Sequence, residues 1–408
     1  MPRRSAALFA ALALVLGPAV TVGCSSAAAP EPGGAPSTPA SAPTSPASPT
    51  SAAEPAPTAA IPGPTPTPTP SPTPGAAVSV DVSGTVTDGL ASPWGLAVLP
   101  DGDLLVSERD DARILRVSAK DGTKTVAGTV PGVTAGGEGG LLGLALSPGF
   151  ASDHRVYAYY STASDNRIAR LDYDPARPAG SQLGEPVALL TGIPHGGRHN
   201  GGRIAFGPDG LLYAGTGDAS EPPLAQDRDS LGGKVLRLSP DGAPAPGNPF
   251  PGSPVWSLGH RNVQGLAWDP QGRFWASEFG QDTWDELNLI TPGGNYGWPT
   301  VEGAAGRPGL VDPVAQWHPA DASPSGIAHA AGGVWLAALH GERLWRVPLD
   351  GDRLAAPPMD FLSGAYGRLR AVVADRDGTL LLLTDNTDGR GDPRPGDDRI
   401  LRLTVNRT

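Results

Sequence analysis

A hairpin unit that recurs along the chain limits its fold more than any other feature. The unit is an apolar run, a turn built on Pro/Asp-Gly, and a second β-prone run. It reads GLAVLPDGDLLVSE from 95, RIAFGPDGLLYAGTG from 203, GLAWDPQGRFWASE from 265 and AVVADRDGTLLLLTD from 371. In each, Asp-Gly or Gln-Gly supplies a positive-φ turn. Other β-prone runs stand between the units, among them RILRV (113–117), RVYAYY (155–160), KVLRL (234–238), GVWLAAL (333–339), RLWRV (343–347) and RILRL (399–403). No segment keeps a 3.6-residue apolar period for long, so an all-β chain is expected. Repeated hairpins of this kind fold as a β-propeller of four-stranded antiparallel blades, and the gaps between some units suit one intervening blade. A six-bladed ring over 77–408 allows roughly 55 residues per blade, more than four strands of about 5 or 6 residues need. The excess belongs in loops, which crowd one end of the channel and bring polar groups together there. Counting alone also admits five or seven blades.

The chain opens with Arg3 and Arg4, an apolar run from Ala6 to Leu16, and small residues up to Cys24. This is the layout of a secretory signal over 1–24, too short to span a bilayer. Cys24 is the only cysteine, which excludes an intramolecular disulfide and a cysteine-based metal cluster. The string TVGC before Ser25 and Ser26 resembles a lipoprotein processing site, although Thr21 departs from the usual large aliphatic residue. Acylation of Cys24 with two or three chains would anchor the protein outside the cytoplasm; the plainer reading is a cysteine discarded with the signal. Residues 25–76 are nearly all Ala, Pro, Ser, Thr and Gly. They lack the apolar side chains that offset ordering entropy, so a disordered linker is expected, reaching roughly 160 Å if fully extended. The globular part is then 77–408. A formal charge of −11 argues against nucleic acid as a partner.

Four segments carry more glycine and polar residues than turns require. They are GGEGGLLGLALSPGF (136–150), HNGGRIAFGPDG (199–210), GHRNVQGLAW (259–268) and SEFGQDTWDELNLITPGGNYGWP (277–299), with YGRLRAVVADRDG (366–378) a less distinctive fifth. In this order they resemble the glucose/sorbosone dehydrogenase family, over essentially all of 85–405. The resemblance implies oxidation of an aldose-type sugar to its lactone by pyrroloquinoline quinone (PQQ) with calcium, and electrons passed to an external acceptor. PQQ is a planar tricarboxylate quinone, so its site needs cations for the carboxylates and a Lewis acid for the quinone oxygens.

By that resemblance His199 is the general base, a role suited to a group with an ordinary pKa of about 6.5; His195 is its rival. Arg368 and Arg370, and Arg261 with Asn262, match cofactor contacts. Alternation along a strand would put Arg368 and Arg370 on one face, which without the resemblance reads as a solvated face. The carbonyls of Gly280 and Gln281 match the ligands of the cofactor's calcium, with Gln281 where proline is common. Glu286 and the Tyr296 carbonyl match a second, structural calcium site. Asp282, Asp285 and Glu286 read otherwise as an acidic surface loop. Glu138 stands where glutamine faces the quinone in glucose-oxidising relatives, and His340 where a cofactor-contacting lysine is expected. Trp317 matches an aromatic wall over the sugar. Two other readings stay open: a calcium-dependent propeller lactonase or esterase, and a non-catalytic sugar-binding propeller lipoprotein.

Overall fold

The computed structural model describes residues 77–407, Arg376 excepted. The expectations for the signal segment, Cys24 and the linker concern residues outside this range. The described chain is all-β apart from the single turn of helix Phe150–Asp153 and one 3-10 turn, Pro222–Ala225. Its strands form six antiparallel sheets, each of four strands except one, which carries a fifth.

The blades follow the chain from Pro93–Val98 onward. Their first strands are Pro93–Val98, Leu141–Leu146, Ile204–Phe206, Val263–Trp268, Pro324–Ala330 and Leu369–Ala374. Each of these packs against the first strand of the next blade, closing an inner ring. The last blade is completed from the other end of the chain, where Val78–Thr87 pairs antiparallel with Ile400–Arg407, Val82 opposite Leu403. This pairing makes Val78–Thr87 the outermost strand of the last blade.

The four hairpin units are the first two strands of four blades. Each turns the same way: Gly102, Gly210, Gly272 and Gly378 lie at φ between 74° and 93°, and each donates its N–H to the carbonyl three residues back. This is a type I turn followed by a left-handed residue, which glycine accepts without strain. The intervening blades depart from the unit at the turn. One uses the helix Phe150–Asp153, the other the two residues Ala331 and Gly332, both at positive φ.

The core is a ring of apolar clusters lying between neighbouring blades. Leu105 and Ile114 of one blade pack with Val156 and Leu171 of the next, and Trp275 and Leu287 pack with Val334 and Leu336. A register shift opens the first strand of five blades, between Pro93 and Leu96, Leu141 and Leu144, Val263 and Gly265, Pro324 and Ile327, and Leu369 and Ala371. Such bulges re-aim side chains at the strand end. Trp94, Gln264 and Arg370 sit within them and line the channel mouth.

Candidate active site

Loops from several blades meet at His199. The strand Leu212–Gly215 runs on to Gly217, where a Cβ would lie 1.8 Å from the His199 carbonyl oxygen. Only glycine lets the two loops come this close. The approach sets Asp218 Oδ1 2.7 Å from His199 Nδ1. The same carboxylate accepts the Ser220 N–H at 2.8 Å and the Trp298 indole N–H at 2.8 Å. With N–H donors converging on it, Asp218 accepts from Nδ1 as well, so the hydrogen stays on Nδ1 and Nε2 keeps its lone pair. His199 lies at φ 56°, in the left-handed region. Its backbone N–H donates to Glu138 Oε2 at 2.8 Å, and Asn262 Oδ1 takes the N–H of Gly201 at 2.9 Å. Ring and backbone of His199 are thus held separately.

Three cavities share walls here. The first, about 280 Å³, covers the channel and is lined by Trp94, Arg109, Gln264, His340, Arg368 and Arg370, among others. The second, about 310 Å³, carries Arg198, His199, Arg261, Gly280 and Gln281. The third, about 340 Å³, shares Arg198, His199, Arg261 and Gln281 with the second and is lined as well by Ser220 and Trp298. Glu138 and Arg390 line both the first and second, joined by an ion pair of 2.7 Å.

The arginines of the first cavity are already anchored. Arg368 Nη2 donates to Asp388 Oδ2 at 2.7 Å, and Arg370 Nε to Asp385 Oδ2 at 2.6 Å. Arg370 Nη1 reaches Gln264 Oε1 at 3.0 Å, and Arg109 Nη2 reaches the Asp388 carbonyl at 3.1 Å. Burial pushes the Asp385 carboxyl up to about 7 against the pull of Arg370, and Asp388 and Asp398 add to the rise. Burial works upward on Asp388 too, but Arg368 and Arg370 outweigh it and hold that carboxyl below its ordinary value. The cavity wall carries the guanidiniums of Arg109, Arg368, Arg370 and Arg390 against the carboxylates of Glu138 and Asp388. Four guanidiniums on one wall, with the Asp110 and Asp385 partners of two of them outside the lining, suit a polyanionic ligand. Asn262 Nδ2 is a buried donor with no hydrogen-bond partner among the described residues.

The loop after Glu278 is wrapped around a carboxylate. Glu302 Oε1 accepts the N–H groups of Gln281, Asp282, Thr283 and Trp284 at 2.6, 3.0, 2.9 and 3.1 Å. Burial acts upward on Glu302, but these four donors bring it below the ordinary range. In a trans peptide the C=O points opposite to the N–H. The carbonyls of Gly280 and Gln281, which share peptide units with the first two donors, therefore face away from Glu302. Asp285 pins the loop from below, accepting Gly280 N–H at 2.9 Å and Ser323 N–H at 2.6 Å. Two outward carbonyls in a fixed turn are hard oxygen donors of the kind calcium takes.

Glu286 is buried away from these cavities, in a nest with Glu278 and Asn288. His260 Nδ1 meets Glu278 Oε2 at 2.9 Å, and the Tyr296 ring stacks on His260 at 4.5 Å. Burial lowers His260 to about 3 and raises Glu278 to about 7, so the contact is a hydrogen bond rather than an ion pair. Asn288 Oδ1 has no hydrogen-bond partner there among the described residues. Glu286 and Tyr296 thus share one buried neighbourhood, beside an unmatched oxygen.

His340 lines the first cavity, its Nδ1 3.0 Å from the Pro319 carbonyl. His195 is exposed in the preceding loop. Asp282 is exposed on the third cavity's wall, whereas Asp285 is buried beneath the loop. Trp317 corrects its expectation: it is 6% exposed, inside an apolar cluster beside Trp345, and the aromatics that line the cavities are Trp94, Phe279 and Trp298. The third strand-pairing position of a blade buries it, as period-2 alternation dictates for an inward residue. Sequence reasoning missed Asp218, Glu302, Arg390 and the Asp385/Asp388 pair. Of these Asp218, in the run GTGDAS at the end of one repeat unit, and Asp385, the last residue of another, stood beside a recognisable signal.

Residues 90–402 match the Glucose / Sorbosone dehydrogenase family. The PQQ-bound form of aldose sugar dehydrogenase from Streptomyces coelicolor superposes with a TM-score of 0.81 at 65% identity, over 82% of this chain and 100% of that one. Aldose sugar dehydrogenase YliI of Escherichia coli is 30% identical over 343 residues, 76% of this chain and 91% of its own. Quinoprotein glucose dehydrogenase B of Acinetobacter calcoaceticus is 35% identical over 252 residues, 53% of this chain and 52% of its own.

Proposed function

The chain belongs to the glucose/sorbosone dehydrogenase family, and from that premise we propose that it oxidises an aldose-type sugar at the anomeric carbon to its lactone, with PQQ and calcium as cofactors and His199 as the base. The observation that carries this reading is the His199–Asp218 pair opening on cavities walled by arginines. His199 Nε2 takes the proton of the anomeric hydroxyl, and Asp218 stabilises the imidazolium that results. When bound, PQQ would supply the two-electron acceptor for the C1 hydride and calcium a Lewis acid, with an external acceptor as the final electron sink. Arg368, Arg370, Arg261 and Asn262, with His340 and Glu138 at the wall, hold the cofactor carboxylates and polar edge. The Gly280 and Gln281 carbonyls would hold the calcium, and Glu286 with the Tyr296 carbonyl a second ion. The fit rests on the four guanidiniums of the cavity wall, the unmatched Asn262 Nδ2 and the outward carbonyls described above.

A calcium-dependent lactonase would place several carboxylates on the channel axis. Among the described residues no group of three or more His, Cys, Asp or Glu side chains is arranged to hold an ion, which favours the carbonyl site. The test is His199→Ala in protein reconstituted with PQQ and calcium. Dye-linked sugar oxidation is expected to fall by about 10² to 10⁴ while PQQ still binds. Wild-type turnover in the variant, or no acceptor reduction by the unmutated holoprotein across a panel of sugars, would refute the reading.

A further inference from the structure

We propose that the site selects an acidic aldose, a sugar carrying its own carboxylate such as a hexuronic acid, and that Arg198 receives that carboxylate. The inference rests on the sugar-oxidising reading above. Other arginines around the mouth meet a carboxylate: Arg109 meets Asp110 at 2.7 Å, Arg368 Asp388 at 2.7 Å, Arg370 Asp385 at 2.6 Å and Arg390 Glu138 at 2.7 Å. Arg198 is exposed, and among the described residues its guanidinium has no hydrogen-bond or ion-pair partner. Arg261 meets only neutral oxygens, Gln281 Oε1 at 3.0 Å and the Phe279 carbonyl at 3.3 Å. Both guanidiniums line both cavities that open on His199.

The carboxylates of Asp218, Glu302, Glu138 and Asp285 act on Arg261, and none of them pairs with Arg198. In the second cavity Glu138 is spent on Arg390, and Asp285 accepts two backbone N–H groups beneath the loop. In the third Asp282 is the sole carboxylate among the lining residues, against two guanidiniums. A free planar fork one residue from the base suits a carboxylate at the far end of a sugar whose C1 hydroxyl reaches His199, because it can donate two parallel hydrogen bonds. A neutral hexose offers that fork nothing equivalent.

The experiment compares D-glucuronate and D-galacturonate with D-glucose in protein loaded with PQQ and calcium, reading kcat/KM in a dye-linked assay. The uronate-to-glucose ratio is expected to exceed one. Loss of a charge-assisted bond should lower it roughly 10- to 100-fold in Arg198→Ala, with partial recovery in Arg198→Lys. A ratio below one in the unmutated protein, or one that Arg198→Ala leaves unmoved, overturns the proposal. A second measurement needs no turnover and so separates this inference from the dehydrogenase reading. D-glucuronate should raise the Tm of the unmutated protein more than D-glucose does, and the difference should vanish in Arg198→Ala; equal shifts by the two sugars overturn the proposal whether or not any sugar is oxidised.

Discussion

Arg368 and Arg370 meet carboxylates before any ligand arrives, and the two carboxylates differ. Asp388 is held ionised by both arginines, whereas burial leaves Asp385 titrating near 7. In an unfolded chain an aspartate titrates at about 3.9. Between about pH 4 and pH 7 the folded chain therefore keeps a proton at Asp385 that the unfolded chain has lost, and this group's contribution to stability falls as pH rises through that window. The same titration governs Arg370. With Asp385 neutral, the guanidinium is less compensated and attracts an anionic ligand more strongly. PQQ affinity of the apoprotein is expected to be higher at about pH 6 than at about pH 8, and Asp385→Asn to flatten both that slope and the slope of Tm. A pH-affinity profile unchanged by Asp385→Asn would contradict this. Removing Arg368 or Arg370 outright should weaken PQQ binding roughly 10- to 150-fold, the worth of one charge-assisted bond, read by titration. At this scale the sequence showed the arginines, and His199, because motifs surround them. It did not show Asp385, Asp388 or Asp218, since an aspartate in a loop looks the same whether it faces water or a guanidinium.

The loop 280–284 shows how one side chain can make an element. Four consecutive N–H groups converge on Glu302 Oε1, and the carbonyls they share peptide units with are thereby turned outward. Glu302→Ala removes the acceptor and frees those N–H groups to turn toward water. If the outward carbonyls hold calcium, its affinity should drop by about 10- to 100-fold, as on loss of an outer-shell partner, with calcium titration of the apoprotein as the readout. An unchanged affinity would mean that the carbonyls are not the ligands. Strands and turns were easier to read than this loop. RILRV and KVLRL are the strands Arg113–Val117 and Lys234–Leu238 to the residue, and the Asp-Gly turns fell where glycine marked them. The two blades without the repeat were legible only as gaps with β-prone runs, because their hairpins close through the helix Phe150–Asp153 and through Ala331 and Gly332. The bulges that put Trp94, Gln264 and Arg370 into the channel were not legible, because a bulge depends on pairing between strands and leaves the period-2 pattern nearly intact.

For the whole molecule, the sequence reading was six blades, although counting alone admitted five or seven because it cannot tell which strands close the ring. The structure answers with Val78–Thr87, the strand that follows the Pro-rich segment and completes the sixth blade against Ile400–Arg407. Two consequences separate tether from fold. Cys24→Ser is expected to move the protein from the membrane fraction to the medium, and unchanged fractionation would end the lipoprotein reading. Folding should not depend on anything before Val78. A chain beginning at residue 77 is therefore expected to melt with the Tm of the full chain. A chain beginning at residue 88 loses the whole strand, leaving the backbone of Ile400–Arg407 as an open edge and stripping Val78, Val80 and Val82 from the cluster they share with Leu401 and Leu403. Losing three partly buried valines from the core costs on the order of several kcal/mol, a large part of the net stability of a domain. The shorter chain should melt well below the longer one and self-associate through its open edge, visible by calorimetry and size-exclusion chromatography. Equal melting temperatures and a monomeric profile for both would mean that ring closure by the N-terminal strand contributes nothing.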